Sequence, residues 1–340
     1  MNELIKIARA LVANDKGLLA MDESTPTANK RFAAAGIPQT VEARRAYREL
    51  LITTPRLGES ISGAILYDET IRQQTKAGVS FVDALKQAGI IPGIKVDLGA
   101  KPLAGFPGEK VTEGLDGLRE RLTEYKQLGA RFAKWRAVIA IGTVGPEQLP
   151  SGGCLDANMH TLARYAALCQ EVGLVPIVEP EVLMEGDHTL DRCFAVTQQG
   201  LTMLFTQLYT QRVRLEGLLL KPNMVLAGKG SFEQNTVEQV ADATVTCLLR
   251  SVPPAVAGIA FLSGGQSPEQ ASSHLNAMHN QFTGRLPWPL TFSFARAIQQ
   301  PALDIWKGQD ANVAAAQQAL FYRASSNRAA RQGQYQAKRT

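Results

Sequence analysis

Short runs of aliphatic and β-branched residues recur along this chain roughly every 30 to 45 positions, and between them apolar residues fall three and four apart. There are eight such runs: GLLAMDE from 17, ISGAILYDE from 61, IIPGIKVD from 90, RFAKWRAVIAI from 131, LVPIVEPEVL from 174, LEGLLLKPNMV from 215, GIAFLSGG from 258 and WPLTFSFAR from 288. Near-continuous apolar strands belong in a parallel sheet covered by helices. The stretches between them have the matching period. In LDGLRERLTEYKQL, Leu115, Leu118, Leu122, Tyr125 and Leu128 form one apolar stripe.

Eight α/β units predict a (β/α)8 TIM barrel. No Pro/Gly/Ser-rich linker or shift of composition divides the chain, so residues 1–340 read as one catalytic barrel domain. A large open sheet is the other arrangement the pattern permits. The opening segment, MNELIKIARALVANDKG, reads as an amphipathic helix with acidic and basic residues interleaved. It lacks the uncharged centre of a signal peptide, and no apolar stretch reaches the roughly 18 residues of a membrane span. The expectation is a cytoplasmic protein without a membrane partner.

Charge changes the picture at one end only. The formal charge is +5, yet no acidic residue follows Asp310, while Arg323, Arg328, Arg331, Lys338 and Arg339 do. Without those five the chain has as many acidic as basic residues, so the excess is no nucleic-acid-binding face. Residues 331–340, with no apolar residues at helical spacing, are expected to form a mobile basic tail. The four cysteines are scattered with no CxxC pair, and the four histidines form no HxxxH or HxH pair. Neither a disulfide framework nor a metal site is indicated, and no cofactor is implied.

The polar residues cluster where a barrel would use them. Each run carries its charged or polar groups at or just beyond its C-terminal end: Asp22 and Glu23, Asp68 and Glu69, Lys95 and Asp97, Lys134 and Arg136, Glu179 and Glu181, Lys221, Ser263, Arg296. In a barrel those ends converge on one face. A lone carboxylate after a strand is commonly a helix cap or an ion-pair partner. Lys134 with Arg136, and Glu179 with Glu181, are more telling, because alternate strand residues share a side.

Basic groups gathered at one mouth imply an anionic substrate. In FLSGGQSPEQA, Gly264 and Gly265 let backbone amides approach an oxyanion, and Ser267, Pro268 and Gln270 read as the capping box of a new helix. With Arg296, the loops after the last two strands would hold a phosphate. Lys221 ends an apolar run and precedes Pro222, which biases it toward an extended backbone. Buried beside other cations such as Lys134, its amine would have a depressed pKa and could form a Schiff base with a ketone. Glu179, Glu181 and Asp22 would move the protons. The chemistry expected is a Schiff-base lyase acting on a phosphorylated sugar.

The segments LLAMDESTPTANKRF, GIKVD, AKWR, VEPEVL, LLKPNMV, FLSGGQS and SFARAIQ, in that order, resemble the signature segments of class I fructose-1,6-bisphosphate aldolase over roughly residues 1 to 335. The resemblance implies that Lys221 attacks the C2 ketone, that Glu179 is the main acid/base with Glu181 hydrogen-bonded close to the lysine, and that Asp22 takes the C4 hydroxyl proton. It further implies that Lys134 and Arg136 hold hydroxyls, that Lys95, Ser24 and Thr27 hold the C6 phosphate, and that Ser263, Gly264 and Arg296 hold the C1 phosphate. A homotetramer or dimer is the implied assembly. The chain departs from the pattern at Pro26 and Ala295, each in place of a glycine, at Leu98 in place of a lysine, and in lacking a terminal tyrosine. Fructose 1-phosphate and sedoheptulose 1,7-bisphosphate stay open as further substrates. A metal-dependent aldolase would need clustered histidines, and a non-catalytic phosphosugar-binding barrel would not need Lys221 with its carboxylates.

Overall fold

The structure, a computed structural model, describes residues 2–337. All eight apolar runs contain barrel strands: β1 (Gly17–Ala20), β2 (Ile61–Leu66), β3 (Ile91–Lys95), β4 (Phe132–Ile139), β5 (Val175–Val182), β6 (Leu219–Leu220), β7 (Gly258–Phe261) and β8 (Leu290–Phe294). They close in the order β1-β8-β7-β6-β5-β4-β3-β2, every pair parallel. This is the TIM barrel expected from the spacing.

Local chemistry explains where the elements deviate from the pattern. The run from 215 begins as a single 3₁₀ turn, Leu215–Gly217, before β6. The ladder then ends quickly, since Pro222 has no N–H to donate. Lys221 is still held on the sheet, because its amide donates to the Val178 carbonyl at 2.8 Å. The predicted helix at 115–128 starts only at Leu118, after Gly117 takes a left-handed turn (φ 66°). Two small antiparallel hairpins, Ala100–Pro102 with Lys110–Thr112 and Gly142–Val144 with Glu147–Leu149, follow β3 and β4. Their three-residue strands are too short to show a period in the sequence.

One end of the barrel is plugged. Leu4, Ala8 and Leu11 of the first helix (Asn2–Leu11), with Val12, join one apolar cluster with Leu18, Ile65, Phe132, Val175, Ile177 and Leu219. Phe132 fills the centre, and a Cβ on Gly93 would come within 2.2 Å of its ring. Above this plug the same inner faces become charged. One side of β4 reads Phe132, Lys134, Arg136 and one side of β5 reads Val175, Ile177, Glu179, Glu181, with Arg136 directly opposite Glu179. Period-two geometry therefore delivers four charged side chains to the open end while the closed end stays dry.

The expected tail needs correction where it begins. Arg331 ends the helix Val313–Arg331, is 8% exposed, and donates to the Val12 and Lys16 carbonyls. Beyond it the Tyr335 amide donates to Asn276 Oδ1 at 2.9 Å, and its ring packs against the core. Arg323 is buried too, bonded to Pro268 O and Ser272 Oγ. Carbonyls in the turn before β1 require donors, and the distant Arg331 supplies them. Residues 338–340 lie outside the described part. Arg331→Ala leaves the Val12 carbonyl unpaired, so stability should fall by about 1–3 kcal/mol. The check is a lower urea midpoint at unchanged turnover.

Candidate active site

Six of the predicted residues form one cluster at the C-terminal ends of the strands. Asp22 follows β1, Lys134 and Arg136 lie within β4, Glu179 and Glu181 within β5, and Lys221 directly follows β6. All but Arg136 are buried, and Lys221 is only 3% exposed. Charges held this far from water need opposite charges in contact. The structure provides them in a chain. Lys134 Nζ lies 2.7 Å from Asp22 Oδ2 and 3.0 Å from Glu179 Oε2, while Lys221 Nζ lies 3.1 Å from Glu179 Oε1.

This alternation sets protonation. Burial alone would raise the Asp22 carboxyl, but Lys134 and Lys221 outweigh it and hold Asp22 at about 2. Glu179 is lowered in the same way: burial opposes ionisation, and Lys134, Lys221 and Arg136 overcome it. Burial would lower the Lys134 ammonium, yet Asp22 and Glu179 push it well above the usual lysine range. Near neutral pH the site thus offers two ionised carboxylates joined by one fixed cation.

Two expectations about Lys221 are revised. Its immediate partner is a carboxylate, so a nearby proton acceptor, rather than a crowd of cations alone, accompanies the amine. That acceptor is Glu179. Glu181, expected beside the lysine, instead accepts from Arg136 Nε, because β4 and β5 are offset by one inward position: Arg136 stands opposite Glu179 and diagonal to Glu181.

The phosphate-binding candidates fall into two groups around this cluster. Lys95 ends β3 and is ion-paired with Asp97 Oδ1 at 2.7 Å, while Asp97 Oδ2 accepts from the Arg136 amide. Ser24 and Thr27 sit at the start of the helix Thr25–Ala34, their hydroxyls 3.1 Å apart, and Ser24 makes no side-chain cap. Pro26 fits that first turn without losing a bond, since the helix has no partner for its N–H there. Leu98 is exposed at the rim.

The second group is the turn after β7. Gly264 and Gly265 take positive φ (59° and 93°), and among the described residues neither amide has a backbone acceptor. The next helix, Pro268–Gln281, has the capping box read from the sequence: Ser267 Oγ accepts from Gln270 N, and Gln270 Oε1 from Ser267 N. Arg296 is the first residue of the helix Arg296–Trp306, exposed and without an ion pair among the described residues. Ala295 before it has φ −103°, which any side chain tolerates. Free amides, the Ser263 hydroxyl and an unpaired guanidinium suit an oxyanion.

Other strand-end charges stay outside the cluster. Glu23 is held by Arg31 and Arg48 and Glu69 by Arg44, as partly buried structural ion pairs, while Asp68 pairs with Arg72 one turn along on the exposed surface. The sequence reading missed Lys229, eight residues past Lys221, whose Nζ reaches the Gly265 turn. Its only sequence signal is the GKG context. Among the described residues no group of three or more His, Cys, Asp or Glu is placed to hold a metal. None of the described helices is long and apolar enough to cross a membrane.

Comparison with known proteins finds similarity along the whole chain. A family profile described as fructose-bisphosphate aldolase class-I matches residues 3–340. The probable fructose-bisphosphate aldolase class 1 of Xanthomonas campestris is 59% identical over 336 residues, covering 98% of this chain and 99% of its own. The cytosolic fructose-bisphosphate aldolase 4 of Arabidopsis thaliana is 49% identical, over 98% of this chain and 84% of its own. Among solved structures, the Plasmodium falciparum fructose-bisphosphate aldolase, in complex with TRAP and a small-molecule inhibitor, superposes with a TM-score of 0.96 at 47% identity. That match covers 99% of this chain and 96% of the other.

Proposed function

The chain belongs to the class I fructose-bisphosphate aldolase family and is a lyase, and from that premise we propose that it cleaves fructose 1,6-bisphosphate reversibly through an imine on Lys221. The products are dihydroxyacetone phosphate and glyceraldehyde 3-phosphate. The observation that carries this reading is the 3.1 Å contact between Lys221 Nζ and Glu179 Oε1 inside a buried, charge-alternating cluster. An ammonium cannot attack a carbonyl; a carboxylate in contact with it can take its proton as the C2 ketone arrives.

The steps follow from the positions. Glu179 takes one proton from the Lys221 amine, which adds to C2; a second proton passes from nitrogen to the former ketone oxygen to give the carbinolamine, and protonated Glu179 then delivers its proton to that hydroxyl so that water leaves. The resulting iminium draws electrons from the C3–C4 bond, while Asp22 accepts the C4 hydroxyl proton. Lys134, fixed between Asp22 and Glu179, holds both carboxylates in place and offsets negative charge as it shifts between them. Arg136, kept extended by Glu181, faces the substrate hydroxyls. Lys95, Ser24 and Thr27 hold the C6 phosphate, and Ser263, Gly264 and Arg296 the C1 phosphate. A cytoplasmic location and a homotetramer or dimer complete the proposal, the latter open to sedimentation analysis.

Borohydride in the presence of dihydroxyacetone phosphate tests it. A covalent adduct mapped to Lys221 supports the mechanism, and an adduct on another lysine, or none, overturns it. Phosphate recognition has its own check. Arg296→Ala should raise KM for the bisphosphate and cost about 2–4 kcal/mol in kcat/KM, because charge-assisted bonds to phosphate are strong. Ser263→Ala should lose less. Equal, small effects would place the phosphate elsewhere.

A further inference from the structure

Lys229 has no place in the mechanism above, yet its amine is aimed at the turn assigned to the C1 phosphate. A Cβ built on Gly265 would stand 2.7 Å from Lys229 Nζ and 3.4 Å from an Arg296 guanidinium nitrogen. Two cations therefore crowd the same backbone, next to the Gly264 and Gly265 amides, which have no backbone acceptor among the described residues. Like charges so placed repel unless an anion comes between them. The carboxylate at hand is a poor candidate for that anion. Glu185 lies 3.6 Å from Lys229, and the two side chains are 65% and 44% exposed, so the pair is loose and weak.

The backbone beneath Lys229 is fixed. Gly228 N donates to His188 O at 2.8 Å, Lys229 N to Met184 O at 2.9 Å and Gly230 N to Gly186 O at 2.8 Å. The fit requires glycine at 228, where a Cβ would fall 2.4 Å from the Gly186 carbonyl oxygen. Three consecutive amides thus lock the loop after Lys221 onto the loop after β5. A residue whose backbone is held this firmly while its long side chain is only loosely paired is preorganised for a ligand.

Resting on the site reading above, we propose that Lys229 is a specificity-determining phosphate ligand, which leaves Glu185 to close over the phosphate held by Ser263, the Gly264–Gly265 amides and Arg296. It is not a group that moves protons in the reaction. Its effect is on capture of a substrate carrying a phosphate at that end, with Glu185 as the competing partner in the empty site.

The test uses the full chain with Lys229→Met, Lys229→Arg and Glu185→Gln. Lys229→Met should raise KM for fructose 1,6-bisphosphate about tenfold with little change in kcat, the pattern of a lost ground-state phosphate contact. It should weaken inorganic phosphate binding, measured by calorimetry, by a similar factor. Lys229→Arg should restore most of both, and Glu185→Gln should tighten phosphate. Unchanged KM and phosphate affinity in Lys229→Met, with Arg296→Ala impaired, would overturn the assignment. Calorimetry needs no turnover, so a failure of borohydride trapping at Lys221 would sink the imine mechanism separately from this result.

Discussion

Replacing Lys221 by methionine should lower turnover by at least ~10³-fold, on the scale of removing a covalent catalyst. Methionine keeps the length and apolar stem that suit a site only 3% exposed, and removes only the amine. Glu179 loses one of its two cations but keeps Lys134 at 3.0 Å, so the buried carboxylate stays paired and the barrel should fold. Loss of activity then reports chemistry. Lys221→Arg sharpens the point, because it preserves a positive charge for Glu179 but offers no nucleophile at any accessible pH. Both variants should give no borohydride adduct with dihydroxyacetone phosphate by intact mass. Near-normal turnover in either would show that the imine, if there is one, forms elsewhere.

The second large effect is expected at Glu179. Its two oxygens contact different lysines, Oε1 with Lys221 and Oε2 with Lys134, so Glu179→Gln removes the charge between two buried cations and the base that deprotonates the nucleophile. Loss of a positioned acid/base predicts a drop in kcat of about 10²- to 10⁴-fold. The drop should lie in imine formation. Rapid quench with borohydride should show slow trapping in Glu179→Gln and normal trapping in Asp22→Asn, which is impaired instead in carbon–carbon cleavage. Stability should fall as well, since removing one partner of a buried ion pair leaves charge uncompensated, a loss on the order of 3–5 kcal/mol. Wild-type trapping rates in Glu179→Gln would remove it from the proton path.

The inward faces of β4 and β5 show how much of the site was legible beforehand. Lys134 with Arg136 and Glu179 with Glu181 stand two apart, and a strand turns that spacing into a common side whatever surrounds it. The capping box at Ser267 and Gln270 is equally local and was read as it stands. Which charge meets which is a different matter. Nothing in the sequence says that Lys221 contacts Glu179 while Glu181 goes to Arg136, because that depends on stagger between neighbouring strands.

By itself, then, the sequence determined what periodicity and local chemistry encode: eight strands and their helices, the closed barrel that follows from their number, and the set of charges at the strand ends. Tertiary structure alone decided which of those charges belong together. It sent Glu23 and Glu69 into ion pairs with arginines from other segments, and it buried Arg331 against carbonyls more than three hundred residues earlier in the chain. It also brought Lys229 to the Gly265 turn through backbone bonds to the 184–188 loop. The physical reason is common to these cases. A buried donor, acceptor or charge must be satisfied, but the requirement names no partner, and closure of the barrel selects it from residues far apart in sequence.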